Sequence, residues 1–471
     1  MEFLCLLSAL TIGKNSHWAF YIKGEIMELK KILTLSFVFL WTAMLSAQVP
    51  VHLELNSDTG VYGKGEVVEV YASLTEFYDA PLSMRVTSSG KRVTSANNLE
   101  LTVNEPSLIY KGSFEEASAI NVSVGNPEDR KSFKNIGFVV APDEFRPGFE
   151  EPADLMSFWQ SQIDALRACE MKVNAVEVDH PDMSEYICYD IEINMPEGNP
   201  VRGYMAMPRN AAETSLPIAL LPHAAGVWKP HCLSSVKTAV KWAKKGTIAF
   251  DINAHGMLNG QPQEYYDNLN ATTLKNYGSR PLVSHKEFYF RLMYLRLVRA
   301  MDYLASLEQW DGKRALVYGE SQGAGQAGAI AALDPRISMA VMNVPALCDL
   351  GGLAGGHRGG WPAFYSKNIN KPESEELSYS ILPYYDIALL IKYTKAELVI
   401  ECGLIDTTCP AECVFSAYNN AACSASKTML TYPRRPHHRV EKKYYNDWKD
   451  KVENIRNSLI DTHLTSTQTS N

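Results

Sequence analysis

The sequence predicts an α/β protein, a mostly parallel sheet with helices on both faces, preceded by a smaller all-β unit. Three observations carry that reading. Residues 218–344 alternate short apolar runs with helical stretches, residues 315–333 hold an apolar run, a glycine-flanked serine and an Ala/Gly-rich stretch in direct succession, and residues 48–140 show only short alternating runs between turn residues.

The chain opens with features of export. Met27-Glu-Leu-Lys-Lys31 forms a short positive stretch, Ile32 to Leu45 is almost uninterruptedly apolar, and Ser46-Ala47 supplies small residues before Gln48. This predicts a signal peptide over 27–47, with 1–26 as a mis-assigned N-terminal extension. The alternative, an uncleaved membrane anchor, asks for about 20 apolar residues; stable insertion after cleavage is not expected. The export signal has a bacterial character, so the sequons Asn121-Val-Ser123 and Asn270-Ala-Thr272 are read as accidental.

In the all-β unit, predicted over 48–142, the runs are Val51–Leu55, Val67–Tyr71, Leu99–Val103, Ala119–Ser123 and Ile136–Val140. Their spacing suggests an immunoglobulin-like sandwich. The unit contains no tryptophan, so a structural or spacer role outweighs sugar binding. The Pro-rich stretch Ala141–Gly148 marks the boundary.

The α/β unit, predicted over 143–462 with 463–471 as a disordered tail, begins its rhythm with a strand at Ile218–Leu221. It continues with a helix at Val236–Lys245, a strand at Thr247–Ile252, a long helix at Phe288–Ser306 and a strand at Ala315–Tyr318. A helix at Gln326–Leu333 and a strand at Ala340–Val344 follow. Tyr294, Leu297, Val298, Met301 and Ala305 share one face of the long helix, which marks it as core-packing. Segments 251–284 and 351–376 lack periodicity and are read as loops roofing the site.

Gly319-Glu-Ser-Gln-Gly323 lies between the apolar run Ala315–Tyr318 and the helical stretch. That setting exposes the hydroxyl of Ser321 on a tight strand-to-helix turn and aims helix N–H groups at any oxyanion beside it. Two further runs, Glu397–Gly403 and Lys427–Pro433, end ahead of Asp406 and the pair His437-His438. Nucleophile, acid and base thus follow in the chain order of an α/β-hydrolase, each just past a strand. Taken singly, Asp406 also fits a capping carboxylate and the histidines a surface pair.

On these residues, and on Pro152–Trp159, Val201–Pro208, Leu333–Arg336, Val344–Asp349, Gly403–Pro410 and Phe415–Asn419, the sequence resembles the acetyl xylan esterase and cephalosporin C deacetylase carbohydrate esterases over roughly residues 145–460. The resemblance implies Ser321 as nucleophile, Asp406 as acid and His437 as base, with the backbone N–H groups of Gln322 and, within one residue, Ala225 as oxyanion donors. It implies removal of acetyl groups from acetylated carbohydrate, without metal or organic cofactor, and leaves a homo-oligomer possible. Where that family carries Arg-Gly-Gln, this chain has His255-Gly-Met257, and His438 stands where the family has Glu. Substrate contacts are expected from His223, Trp228, His255, Tyr265 and Trp361, the aromatic faces suiting sugar rings; Tyr266 and Tyr384 are further stacking candidates.

Composition bounds the alternatives. Apolar residues make up 46% and charged residues 21% of 471, with a net charge of −8, so neither disorder nor a nucleic-acid footprint is indicated. Eight cysteines follow the signal peptide without a scaffold spacing, and Cys402, Cys409 and Cys413 lack the paired knuckles of a zinc site. Two rival readings stay open: a hydrolase of this fold with bulky-acyl or peptide substrates, and an inactive sugar-binding surface protein.

Overall fold

The computed structural model describes residues 49–365, 372–422 and 425–466. The predicted extension and signal peptide therefore lie outside the described residues, as does Cys423. Among the described residues no helix is long and apolar enough to cross a membrane.

The first eight strands are β1 (Val51–Leu55), β2 (Val61–Tyr62), β3 (Val68–Leu74), β4 (Ser83–Ser88), β5 (Lys91–Asn97), β6 (Ser107–Gly112), β7 (Ser118–Gly125) and β8 (Lys134–Val140). They form a three-stranded sheet, β1-β3-β6, and a five-stranded sheet, β2-β8-β7-β4-β5. Alternate residues of both, among them Val51, Leu53, Val68, Val70, Val86, Val122, Ile136 and Phe138, meet in one apolar core. Residues 99–103 do not form the expected strand; they contribute only isolated bridges, Leu74 to Val103 and Thr102 to Glu105. Strand β5 is exposed along most of its length on both faces, so it carries little of the alternation by which a strand is recognised.

Nine strands build a third, larger sheet: β9 (Val173–Glu177), β10 (Tyr186–Ile193), β11 (Val201–Pro208), β12 (Leu216–Pro222), β13 (Ile248–Ile252), β14 (Trp310–Glu320), β15 (Met339–Asn343), β16 (Glu397–Gly403) and β17 (Lys427–Tyr432). Their order is β17-β16-β15-β14-β12-β13-β11-β10-β9, parallel from β17 to β13 and antiparallel beyond. The parallel strands are covered on both faces, which is why β12, β13 and β15 are buried at every position. One face packs against the helices Leu155–Ala168, Phe290–Leu304 and Gln322–Leu333. The other meets Trp242, Trp448, Val452, Ile460 and Leu464.

The long helix runs Phe290–Leu304, inside its expected limits. The loop expected over 251–284 contains a helix, Gln263–Ala271, and the last helix, Asn454–Thr465, reaches three residues into the stretch read as a disordered tail. It stays ordered there because His463 and Leu464 are buried, with His463 Nε2 2.9 Å from Ser338 Oγ at the foot of β15. Among the described residues Cys169, Cys188, Cys232, Cys348, Cys402, Cys409 and Cys413 form no disulfide with one another.

Candidate active site

In the sheet order, β12 lies between β13 and β14, so the chain leaves β12 to one side and later returns to its other side. Loops at the carboxyl ends diverge at such a point and open a crevice. There the residues after β12 face those after β14.

Strand β14 ends at Glu320, and the helix Gln322–Leu333 begins two residues on, with Ser321 between them at φ 55° and ψ −119°. That conformation is strained for a residue with a β-carbon, by about 1–3 kcal/mol. It is held because the turn is packed to contact on both sides. A Cβ on Gly319 would lie 2.2 Å from the Gly323 carbonyl carbon, and one on Gly323 would lie 2.3 Å from Pro222 O. The glycines thus let the helix sit against β14 and against the end of β12.

Ser321 Oγ is 2.9 Å from His437 Nε2, and His437 Nδ1 is 2.8 Å from Asp406 Oδ2. Asp406 follows β16 and His437 follows β17, two neighbouring parallel strands whose ends share one rim. The other oxygen of Asp406 accepts the N–H groups of Thr408 and Cys409 at 2.8 and 2.9 Å, which fixes the buried carboxylate. Asp406 can only accept from Nδ1, so that nitrogen carries the proton and Nε2 faces Ser321 as the acceptor. His438 stacks edge-on against His437 at 5.3 Å and makes no hydrogen bond to Ser321 or Asp406.

The loop bearing His437 has its own clamp. Arg435 Nη1 donates to the carbonyls of Pro436, His437 and His438, while its Nε donates to Glu401 Oε1 at 2.8 Å. Glu401, on β16, is buried and also receives Trp448 Nε1 at 3.0 Å and Arg456 Nη1 at 2.6 Å. One carboxylate therefore joins β16, the His437 loop and the C-terminal helices. These four residues lie in separate parts of the sequence, and no local pattern announces them.

Gln322 opens the helix, where the first N–H groups have no intrahelical acceptor. Opposite it runs the loop 223–226. Tyr289 O–H donates to His255 Nδ1 at 2.7 Å, and His255 Nε2 donates to Gly226 O at 3.1 Å. Gly226 N–H donates to Tyr277 OH at 3.0 Å, and Tyr277 O–H donates to Gln322 Oε1 at 2.7 Å. The chain of bonds ties the loop bearing Ala225 to the residue after Ser321. The carbonyl of Gly226 can only accept, which sets the His255 tautomer. Burial, reinforced by the nearby Arg296 cation, pushes that imidazole down to about 3, so it stays neutral.

His255 is thus not free for substrate, contrary to the expectation from sequence: it is buried and both ring nitrogens are taken. His223 is likewise committed. Its Nε2 forms an ion pair with buried Asp251 at 2.6 Å and its Nδ1 meets His231 O at 3.1 Å. Burial pulls this imidazole toward neutrality, but the Asp251 carboxylate outweighs it and raises the value above the ordinary one. Of the remaining candidates, Tyr265 packs edge-on against Tyr266, and Trp361 lies against Gly278 and near Phe290. Trp228 is 40% exposed, the most exposed of the five, with the Lys229 ammonium 5.1 Å over its ring.

Cys402, Cys409 and Cys413 do not converge: Cys409 lies with Asp406 and His437, and Cys413 with Asp349 and His357.

The sheet, the strained serine turn and the order of the loops define the α/β-hydrolase class. The acetyl xylan esterase family, AXE1, matches residues 142–459; the chain belongs to this family and is a carboxylic ester hydrolase. It is 28% identical over 382 residues to the acetyl esterase Axe7A of Xylanibacter ruminicola, covering 80% of this chain and 81% of that one. Its fold is similar to that of the acetyl xylan esterase from Paenibacillus sp. R4 (TM-score 0.55, 23% identity, 67% of this chain and 98% of that). It also resembles acetyl xylan esterase 1 from Thermoanaerobacterium sp. JW/SL YS485 (TM-score 0.52, 21% identity, 66% and 97%).

Proposed function

We propose that this chain is an exported serine esterase that removes acetyl groups from xylan-type poly- or oligosaccharides through an acetyl-serine intermediate. The observation that carries the reading is the pair of contacts, 2.9 Å and 2.8 Å, linking Ser321, His437 and Asp406 at the end of a parallel sheet. His437 Nε2 takes the proton of Ser321 as Oγ attacks the ester carbonyl, and Asp406 holds the imidazole in the required tautomer. The N–H groups of Gln322 and Ala225 receive the oxyanion, each such donor contributing on the order of a hundredfold or more. The imidazolium then gives its proton to the sugar oxygen as the bond from that oxygen to the acyl carbon breaks, leaving the acetyl group on Ser321. Water, deprotonated by the same imidazole, releases acetate and restores Ser321.

Export rests on the signal peptide read over 27–47, and the module before the catalytic layer is read as immunoglobulin-like. The acetyl preference draws support from the family and from the acetyl esterase of X. ruminicola, and the sugar from the exposure of Trp228 beside the site loop. Acetate release from acetylated xylo-oligosaccharides, set against feruloyl and aminoacyl esters, is the test. Equal or faster turnover of the bulky acyl groups overturns the acetyl assignment.

A further inference from the structure

The β module meets the catalytic layer on the two loops that carry Asp406 and His437. Gly137, on β8, donates its N–H to Pro433 O at 2.9 Å, just upstream of His437. On the acid side the approach is closer: a Cβ on Gly137 would lie 2.1 Å from Leu404 O, 2.5 Å from Leu404 C and 3.0 Å from Ile405 Cγ2, immediately before Asp406. Backbone lies against backbone at this point, with no side chain between.

Other contacts surround it. Thr431 Oγ1 donates to Thr59 O at 3.0 Å and Arg434 Nη2 to Leu53 O at 2.5 Å. The Arg434 guanidinium also lies over Tyr444, whose hydroxyl is 2.9 Å from His52 Nδ1. The two loops are themselves joined, because Ile405 N–H donates to Arg435 O at 3.3 Å and Leu404 N–H to Tyr432 O at 3.2 Å. They form one unit whose back rests on β8 and its neighbours.

We infer that the β module is a positioning element for catalysis, with Gly137 and Arg434 as its positioning residues: it fixes the Asp406 and His437 loops against Ser321. Neither a tethered spacer nor a sugar-binding unit would need contact at this distance with the loops that carry Asp406 and His437. The inference rests on the Ser321–His437–Asp406 reading. A side chain at 137 must push the Leu404 backbone by about 1 Å to reach ordinary contact, and a displacement of that size can cost about a hundredfold in rate.

The experiment uses the full-length chain and compares Gly137→Ala, Arg434→Ala and Arg434→Lys with the wild type. Val93→Ser on exposed β5 is the control for disturbing the module elsewhere. Two readouts are taken: kcat and KM for a small acetyl ester, and the rate at which a fluorophosphonate labels Ser321, which needs an activated serine but no assumption about the natural substrate. Gly137→Ala should lower kcat and the labelling rate together, roughly 10- to 100-fold, with KM within about twofold. Arg434→Ala should lower both less, Arg434→Lys should recover part of the loss, and Val93→Ser should match the wild type.

If Gly137→Ala does not fold, the Arg434 pair decides. Labelling and kcat within twofold of wild type in the folded variants overturn the inference, as does a rise in KM at unchanged kcat. A wild type that is not labelled at all overturns the triad reading instead, and this inference with it.

Discussion

Mild acid should destabilise the catalytic layer through His255. This imidazole has an ordinary value of 6.5 and is held near 3 by burial and by Arg296. Between those values the unfolded chain binds a proton that the folded chain refuses, so stability is fully present above about pH 6.5 and is lost as pH falls toward 3. From pH 7 to pH 5 the unfolded imidazole passes 1.5 units below its own value while the folded one stays neutral, and at about 1.4 kcal/mol per unit this costs about 2 kcal/mol. The perturbation is His255→Gln, which keeps a donor for Gly226 O and an acceptor for Tyr289 but does not titrate. The assay is urea unfolding at the two pH values, followed by tryptophan fluorescence. In a chain starting at Gln48 every tryptophan lies beyond Val140, so the signal reports the catalytic layer. Wild type should lose about 2 kcal/mol more than the variant between pH 7 and pH 5. Equal losses in the two proteins would refute the argument, because His255 would then titrate alike folded and unfolded.

Ser321→Ala should abolish acetate release with the fold intact, triad losses being on the order of a million-fold; activity within tenfold of wild type would remove Ser321 from the mechanism. His437→Ala should be nearly inactive and His438→Ala should keep most activity, and the opposite ranking by kcat would transfer the base to His438. Glu401→Ala leaves the buried Arg435 and Arg456 without their shared carboxylate and should cost about 3–5 kcal/mol in denaturant unfolding; a loss under about 1 kcal/mol would show that the hub is not structural. Trp228→Ala should raise KM severalfold for an acetylated oligosaccharide and leave KM for a small acetyl ester unchanged, and equal KM values for the oligosaccharide would remove stacking at this face.

Ser321, Asp406 and His437 were legible because each lies where a strand ends, and strand ends leave a mark in local composition. Their order along the chain also matches the order of loops on one sheet edge. His255 was misread for the opposite reason. A histidine in a glycine-containing loop resembles a ligand, and its partners Gly226 and Tyr289 stand far off in sequence. The Arg435 clamp was invisible on the same ground, since Glu401, Trp448 and Arg456 converge only in space. In the β module, β5 was missed because its KRVTSAN sequence is exposed on both faces, whereas Leu99–Val103 alternates well yet finds only isolated bridges.

The contact of Ser338 Oγ with His463 Nε2 has the same length, 2.9 Å, as that of Ser321 with His437. Ser338 precedes β15, on the amino-terminal rim of the parallel strands, and its oxygen already accepts the Ala315 N–H at 2.9 Å while facing Ala315 O at 3.2 Å. Among the described residues no helix starts directly after Ser338, where β15 begins instead. Two serine–histidine pairs of equal length therefore stand at opposite rims of one sheet, and only one has the surroundings of a nucleophile. Active-site titration should accordingly consume one equivalent of reagent per chain, all of it at the carboxyl rim, so that stoichiometry separates the two pairs where interatomic distance cannot.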